Sequence, residues 1–449
     1  MIHSPTDPIA ALATPAASSA LAVIRVSGQG SLEILSRLVA PPRSLAVLSG
    51  HTIHRRRIRD GVEDVDDVMI AVYRAPKSYT GEDGAEIFCH GSIPVIQRIL
   101  SLLRRAGFRE AGPGEFTERA FLNGRMDLTR AEAVNEIVRA RTDRARGLAL
   151  RRLSGAVEER ARGARDALVD IRASLEASID YPDDVPVGPM DGESLVRAKT
   201  LIDGLLRGYC QGRVYQEGAS VAIAGATNAG KSRLFNALLG QDRAIVSDVH
   251  GTTRDWLESP LSIDGIPVRL FDTAGIRPSN DPLEAEGMRR TEEVVTGADL
   301  VLYLVDGTRG LADEDRRVMD SWAGRTVLLA AWNKTDLGDC HPAPDGFLPL
   351  SAATGEGIPS LLARIGAAVL GSSPSDTTEP LICSDRQRDL LQRARAAIGR
   401  YEVARDGGVT PDLLAVDVAE ALDALGEMTG EVTTDEILER MFSRFCVGK

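Results

Sequence analysis

The chain has 449 residues, enough for two to four domains at roughly 100–200 residues each, which excludes a single small module. With 43% hydrophobic and 26% charged residues it is composed like a folded globular protein, and no run of about 18 apolar residues offers a membrane span. Acidic side chains number 65 against 53 basic ones, a net charge of −12, so the whole molecule lacks the basic field of a sequence-independent nucleic-acid binder; any RNA contact is local or made through a partner.

Residues 1 to about 118 mix β-like runs at 21–28, 67–76 and 84–91 with a helical stretch at 92–106, which predicts a compact α+β domain. No signal peptide is expected at the start, because a basic n-region is missing and Pro5, Pro8 and Pro15 interrupt the apolar stretch. Thr129 and Glu132 form a T-x-x-E capping box that predicts the start of a long helical region reaching about Asp180, with Leu168, Ile171, Leu175 and Ile179 on one apolar stripe. The prolines of YPDDVPVGP (181–189) break it. A second amphipathic helix, with Leu195, Ala198, Leu201 and Leu205 on one face, continues to about Arg213. From about 216 to 371 the pattern becomes strand, Gly-rich turn, helix, repeated, and after the linker GSSPSDTTEP (371–380) the chain is helical again over 384–405 and 411–449. The expected domains are 1–118 (α+β), 119–213 (helical), 214–373 (α/β) and 374–449 (helical), with the α/β unit inserted into one helical domain made from its two flanks.

The strongest chemical signal is GATNAGKS at 225–232, which follows the apolar run VAIA and precedes the helix-like RLFNALLG, a GxxxxGK[ST] loop in strand–loop–helix context. Such a loop wraps phosphates with backbone N–H groups from Asn228, Ala229, Gly230 and Arg233; Lys231 reaches the β and γ phosphates and Ser232 ligates Mg²⁺. DTAG at 272–275 ends another apolar run 40 residues after Ser232, placing Asp272 on the Mg²⁺ side and Thr273, Ala274 and Gly275 beside the γ-phosphate. In NKTD at 333–336, Asp336 accepts two hydrogen bonds from a guanine edge that adenine does not offer, with Asn333 and Lys334 beside it. Ser351, Ala352 and Ala353 close over the base. Together these predict a GTP site. Ser247, Asp248, Val249, His250, Gly251, Thr252 and Thr253 form the loop between the two phosphate motifs, and Thr253 is the candidate that ligates Mg²⁺ and senses the γ-phosphate. Ile276 follows DTAG where a water-orienting Gln would serve, so another polar group is required; Arg277, Asp281, Glu284 and Glu286 are candidates, while Arg254 or a bound cation supplies positive charge.

Beyond these motifs the chain carries PKSYTGED (76–83), CHG (89–91), PGEFTERAFLNGRMDLTRAEAV (113–134), IDYPDD (179–184) and FCVGK (445–449). In this combination it resembles, over nearly its whole length, the tRNA-modification GTPase family MnmE, also called TrmE. The resemblance implies a homodimer whose N-terminal domain binds 5,10-methylene- or 5-formyl-tetrahydrofolate. It also implies that, with an FAD-dependent partner, MnmG, the dimer forms a heterotetramer or larger complex that modifies C5 of the wobble uridine in certain tRNAs. Transferred by motif, the folate residues are Arg25, Glu86, Arg125 and Lys449. The resemblance likewise implies G domains that pair around K⁺, held by Asn228, Thr252 and backbone groups of Ser247 and Val249, and makes Glu284 the water-orienting residue. The sequence departs from the family in lacking glycines between Ala13 and Arg25 and in carrying Thr227 where Pro is common.

Two features stay open between readings. Cys446 is a candidate catalytic thiol or a structural residue; the five cysteines are scattered without a CxxC pair, which fits a reducing, cytoplasmic compartment. The stretch 139–165 carries nine arginines against three acids and serves either as a tRNA or partner contact or as a solvated face. The competing functions are a ribosome-assembly or RNA-binding switch GTPase without modification chemistry, and a folate-binding scaffold with a regulatory GTP site.

Overall fold

The computed structural model describes residues 7–41, 45–181, 192–240, 258–272, 294–371 and 381–448. By contact the chain divides into two compact units, Met1–Asn135 with Leu422–Lys449, and Glu136–Ala421.

In the first unit a seven-stranded sheet has the order β3-β4-β5-β6-β2-β1-β7, built from β1 (Ile9–Leu12), β2 (Ser19–Ser27), β3 (Val39–Ala40), β4 (Thr52–Asp60), β5 (Glu63–Tyr73), β6 (Gly84–Gly91) and β7 (Arg109–Glu110). The helices are α1 (Ser31–Ser36), α2 (Ile93–Ala106) and α3 (Glu115–Leu122). Alternation decides the buried face: Ala22, Ile24 and Val26 of β2, Val68, Ile70 and Val72 of β5, and Ile87 and Cys89 of β6 share one core with Ile96, Ile99 and Leu103 of α2. Arg25 and Glu86 therefore emerge on the opposite face. α2 starts after extended Ser92 with Pro94 in its first turn, and ends at Gly107, whose φ of 111° suits a residue without Cβ. β4 was not among the expected strands, whereas the run expected at 67–76 covers the second half of β5, which starts four residues earlier at Glu63. The outward row of β4 is charged, and Arg55–Asp67, Arg57–Asp64 and Arg59–Asp64 ion pairs stand across the ladder where apolar residues would have signalled a strand.

α4 (Leu128–Arg139) follows. Asp127 caps it, accepting the Arg130 N–H at 2.9 Å, while Thr129 lies inside the first turn and donates to Asp127; the capping box expected at Thr129 is corrected by two residues.

The second unit contains α5 (Asp143–Leu153), α6 (Ala156–Asp180), α7 (Gly192–Arg207), α8 (Tyr209–Glu217), β8 (Ala219–Ala224), α9 (Lys231–Leu239), β9 (Glu258–Ile263), β10 (Ile266–Asp272), β11 (Leu300–Asp306), α10 (Asp313–Trp322), β12 (Val327–Asn333), β13 (Leu348–Pro349), α11 (Ile358–Leu370) and α12 (Asp385–Asp406). α13 (Pro411–Thr429) and α14 (Asp435–Phe442) complete the chain. The stripe of α6 buries Leu168, Ile171 and Leu175, but Ile179 is 44% exposed, so it ends one turn early. On α7 the buried row is Leu195, Ala198, Ile202 and Leu205. α12 is tied to α7 by Lys199–Glu402 at 2.7 Å and Arg395–Asp203 at 2.8 Å.

The strands β8 to β13 form a second sheet in the order β13-β12-β11-β8-β10-β9. All neighbours pair in parallel except edge strand β9, antiparallel to β10. β8 is buried along its whole length and β11 over all but its last residue, as central parallel strands with both faces covered must be. Ligands of such sheets bind beyond the carboxyl ends of the strands, where the 225–230 loop stands.

Candidate functional site

The phosphate loop leaves buried β8 at Gly225 and enters α9 at Lys231. Glycine is required at both hinges. A Cβ on Gly225 (φ +140°) would stand 2.2 Å from the Leu304 carbonyl oxygen, and one on Gly230 (φ +98°) 2.3 Å from Asn333 Nδ2. Asn228 sits in the left-handed region (φ 62°), with an exposed side chain, as are those of Ser232 and Arg233; Ala229 is buried. Lys231 Nζ donates to the Gly225 and Ala226 carbonyls at 2.8 and 2.9 Å, which holds the ammonium across the mouth of the loop.

The base-reading residues are locked to that loop. Asn333 is buried; its Nδ2 donates to the Ala229 carbonyl at 2.8 Å and its Oδ1 accepts the Ala352 N–H at 2.9 Å, so one amide ties phosphate loop, β12 and the 351–353 loop together. Ser351 donates to Asp336 Oδ1 at 2.6 Å and accepts the Ala353 and Thr354 N–H groups. This leaves Asp336 Oδ2 outside that bond and fixes the plane of the carboxylate. Lys334 (φ 69°) pairs with Asp306 Oδ2 at 2.6 Å. Burial raises the Asp306 carboxyl, but Lys334 and the Thr308 donors outweigh it and hold the group below the usual carboxylate range. The loop whose glycines let it pack against the Leu304 carbonyl and Asn333, together with a carboxylate whose plane Ser351 fixes, fits a guanine nucleotide.

Asp272 is the last residue of β10 and pairs with Ile223 of β8, which sets its backbone beside the phosphate loop. Ser247, Asp248, Val249, His250, Gly251, Thr252, Thr253, Arg254, Thr273, Ala274, Gly275, Arg277, Glu284 and Lys449, together with the side chain of Asp272, lie outside the described residues.

A second polar site forms in the first unit. Arg25 and Glu86 are cross-strand partners, and Nε and Nη2 of Arg25 donate to Glu86 Oε1 at 3.0 and 2.7 Å. Tyr73 donates to Glu86 Oε2 at 3.2 Å. The Arg25 guanidinium lies 5.7 Å from the Tyr79 ring centre and 5.6 Å from that of Phe116, and its Nη1 reaches the Gly448 carbonyl at 3.0 Å. Residues 446–448 are held there by Gly114 N–H to the Cys446 carbonyl at 3.3 Å and by a bridge between Pro113 and Val447. Arg125 is exposed beside Gly81 (φ +79°), and neighbouring Asn123 donates to the Thr80 carbonyl at 2.7 Å, which places it at the 78–83 loop that carries Tyr79. The Arg25–Glu86 pair is thus held among Tyr73, Tyr79 and Phe116 beside residues 446–448. Tyr73, Tyr79 and Phe116 were missed as site residues. Tyr79 stands in the PKSYTGED phrase, but nothing in its local pattern says that it covers Arg25.

Cys446 is exposed, whereas burial, with Asp66 adding to it, pushes the Cys89 thiol up to about 11. Among the 139–165 arginines, Arg152 is buried on Glu136, Arg144 lies over the Tyr215 ring and Arg146 pairs with Asp143, whereas Arg141 is exposed. Among the described residues no helix is long and apolar enough to cross a membrane, and no cluster of three or more His, Cys, Asp or Glu is arranged for a metal.

A phosphate loop on the central strand of a parallel sheet, with a guanine-reading carboxylate pinned beside it, defines a P-loop GTPase. Comparison with known families takes this further. Residues 8–125 match the family "GTP-binding protein TrmE N-terminus" and residues 128–446 match "MnmE helical domain". The tRNA modification GTPase MnmE of Syntrophus aciditrophicus is 40% identical over 457 residues, covering 99% of each chain, and that of Moorella thermoacetica 41% identical over 462 residues, again 99% of each. Aquifex aeolicus Era bound to GDP·AlF4⁻ matches 40% of this chain and 66% of its own at 24% identity, with a TM-score of 0.28. The chain belongs to the MnmE (TrmE) family of tRNA-modification GTPases, with an N-terminal TrmE domain, a discontinuous helical domain and an inserted G domain.

Proposed function

We propose that this GTPase is the switch of a tRNA wobble-uridine modification enzyme. It acts as a homodimer with an FAD-dependent partner, MnmG, in a heterotetramer or larger complex, and adds a (carboxymethyl)aminomethyl group to C5 of uridine. The observation that supports this beyond the family name is the Arg25–Glu86 site, flanked by Tyr79 and Phe116 and carried on the same chain as the guanine site.

In this reading Asp336 and Asn333 select guanine, Lys231 and the loop N–H groups of 228–233 hold phosphates, and Ser232, Thr253 and the Asp272 segment hold Mg²⁺. Asn228 and Thr252, with backbone carbonyls of Ser247 and Val249, hold K⁺, a monovalent charge placed where negative charge develops. Glu284 orients water, with Arg254 and Arg277 as further charged groups. In the N-terminal domain Glu86 accepts from N–H donors of a pterin ring, Arg25, Arg125 and Lys449 hold its carboxylates, and the folate supplies a one-carbon unit. Cys446 is the thiol assigned to the tRNA chemistry in this reading, supported by its exposure and by the contacts of residues 446–448 with Gly114 and Arg25. The domain boundaries at about 118, 213 and 373 and a cytoplasmic location belong to the same proposal.

Mass spectrometry of wobble uridines from a strain lacking the gene tests the reading: the C5 substituent is lost, and unchanged nucleosides would refute it. GTP turnover faster in K⁺ than in Na⁺ buffer tests the role given to Asn228.

A further inference from the structure

The two segments assigned to the γ-phosphate in the proposed function flank one hairpin. β9 begins at Glu258, five residues after Thr253, and β10 ends at Asp272. At the far end β9 and β10 are joined by Asp264 and Gly265, with φ of 49° and 82°, a two-residue turn with both central residues left-handed. β10 carries seven residues, so the turn and Asp272 stand about 20 Å apart. The hairpin is the sheet edge, bonded to the remainder only through the β10–β8 ladder, and that ladder sets where Asp272 meets Ile223.

The turn is held from outside the sheet, by α5. Thr142 Oγ1 donates to the Gly265 carbonyl at 2.7 Å and also accepts the Ala145 N–H at 3.2 Å, so one hydroxyl caps α5 and pins the turn. The Arg144 stem runs directly against the turn, since a Cβ on Gly265 would stand 2.7 Å from Arg144 Cβ. The Arg144 guanidinium lies 5.2 Å from the ring centre of Tyr215 in α8, the helix that leads into β8. One turn along α5, Leu148 joins the core of Leu261, Ile263, Ile266 and Val268. α5 thus grips the ends of both partners in the β8–β10 ladder, at the side opposite the phosphates.

We propose that Thr142 and Arg144 are positioning residues for GTP hydrolysis, holding the β9–β10 turn so that the Thr253 loop and Asp272 meet the nucleotide in register. The proposal rests on the reading of Thr253 and Asp272 given above.

The test is steady-state GTP hydrolysis by the full-length protein in Mg²⁺ and K⁺, with binding of a fluorescent GDP analogue measured alongside. Thr142→Val and Arg144→Ala are expected to lower kcat about 10- to 100-fold, the scale of an ångström misplacement, with KM, GDP-analogue affinity and binding stoichiometry unchanged. Thr142→Asp keeps a capping acceptor but offers no donor to Gly265, so it should lose kcat like Thr142→Val, while Thr142→Ser and Arg144→Lys restore it. Wild-type kcat in Thr142→Asp and Arg144→Ala overturns the proposal, as does a loss of kcat matched by an equal loss of nucleotide-binding stoichiometry, which marks partial unfolding. Thr253→Ala is run beside them: if it hydrolyses GTP at the wild-type rate, the reading of the site falls and the proposal with it.

Discussion

At position 336 the carboxylate accepts the Ser351 hydroxyl through Oδ1, so its second oxygen and its plane are set before a base arrives. Replacing Asp336 by Asn puts an N–H₂ donor where guanine also donates, and a site built on such polar groups loses about 10⁴-fold or more for a mismatched edge. GTP affinity of Asp336→Asn should fall by at least about 100-fold while xanthosine triphosphate, which has a carbonyl there, gains; competition binding of the two nucleotides measures it. Glu118 of α3 makes a different kind of prediction. Burial, with Glu115 and Asp435 adding like charge, raises its carboxyl above the ordinary value against the opposing pull of Arg119. A raised acid binds its proton more tightly in the folded state, so its contribution is fully present below the unfolded pKa of about 4.3 and is lost as pH rises through the folded value. Glu118→Gln should therefore leave urea stability unchanged near about pH 4 and increase it near about pH 8. A mutant equally stabilised at both would refute the titration as the cause.

Among the elements, α8 and residues 381–383 carry the chain into and out of the second sheet, and they are stitched together. Gly212 of α8 is so close to this exit segment that a Cβ there would stand 2.1 Å from the Ile382 carbonyl oxygen. Arg152 of α5 is 2% exposed and donates to Glu136 Oε2 at 2.5 Å and to the Leu381 carbonyl at 2.8 Å; Cys383 donates to Glu136 Oε1 at 2.8 Å. Removing one partner of a buried pair leaves an uncompensated charge. Arg152→Met should cost about 3–5 kcal/mol in denaturant unfolding, and the double replacement with Glu136→Gln should recover most of it. A double mutant as unstable as the single one would show that packing, not charge, is at stake. This junction was illegible in the sequence. Arg152 stood among nine arginines read as one basic stretch, and nothing in a local pattern tells the buried one from Arg141 on the surface. β4 escaped for a related reason, since its outward row is paired by charge with β5, which carries no hydrophobic period. The strands β8, β10 and β12 were legible as apolar runs that stop at Gly-rich or polar loops, β8 because both its faces are buried, and α9 because it follows the phosphate-loop motif.

At the scale of the molecule, the proposed function assigns each compact unit its own ligand, folate at the Arg25–Glu86 pair in one and guanine nucleotide at the phosphate loop in the other. A ligand at 100 times its Kd adds about 2.7 kcal/mol to the part that binds it. In calorimetry GDP should raise the transition of residues 136–421, and 5-formyl-tetrahydrofolate that of residues 1–135 with 422–449; a shift of both by either ligand would show that they unfold as one. The net charge of −12 belongs to this scale too, because it averages over a chain whose 139–165 segment carries nine arginines against three acids; Arg152 is buried on Glu136, while Arg139, Arg141, Arg144, Arg146, Arg151 and Arg162 are exposed. The sequence by itself determined the nucleotide chemistry, because GATNAGKS and NKTD are contiguous stretches whose function follows from local backbone geometry at the ends of apolar strands. Where residues 374–449 pack was decided only by the tertiary structure. α12 is tied to α7, while Leu438, Phe442 and Phe445 share a core with Leu128 and Ala131 of α4, so different parts of 374–449 meet different parts of the helical segment 119–213. The Arg25 site was decided there as well. It draws on β2, β6, the 78–83 loop, α3 and Gly448, residues brought together by strand register and core packing across more than four hundred positions, and no periodicity in the chain encodes a meeting at that range.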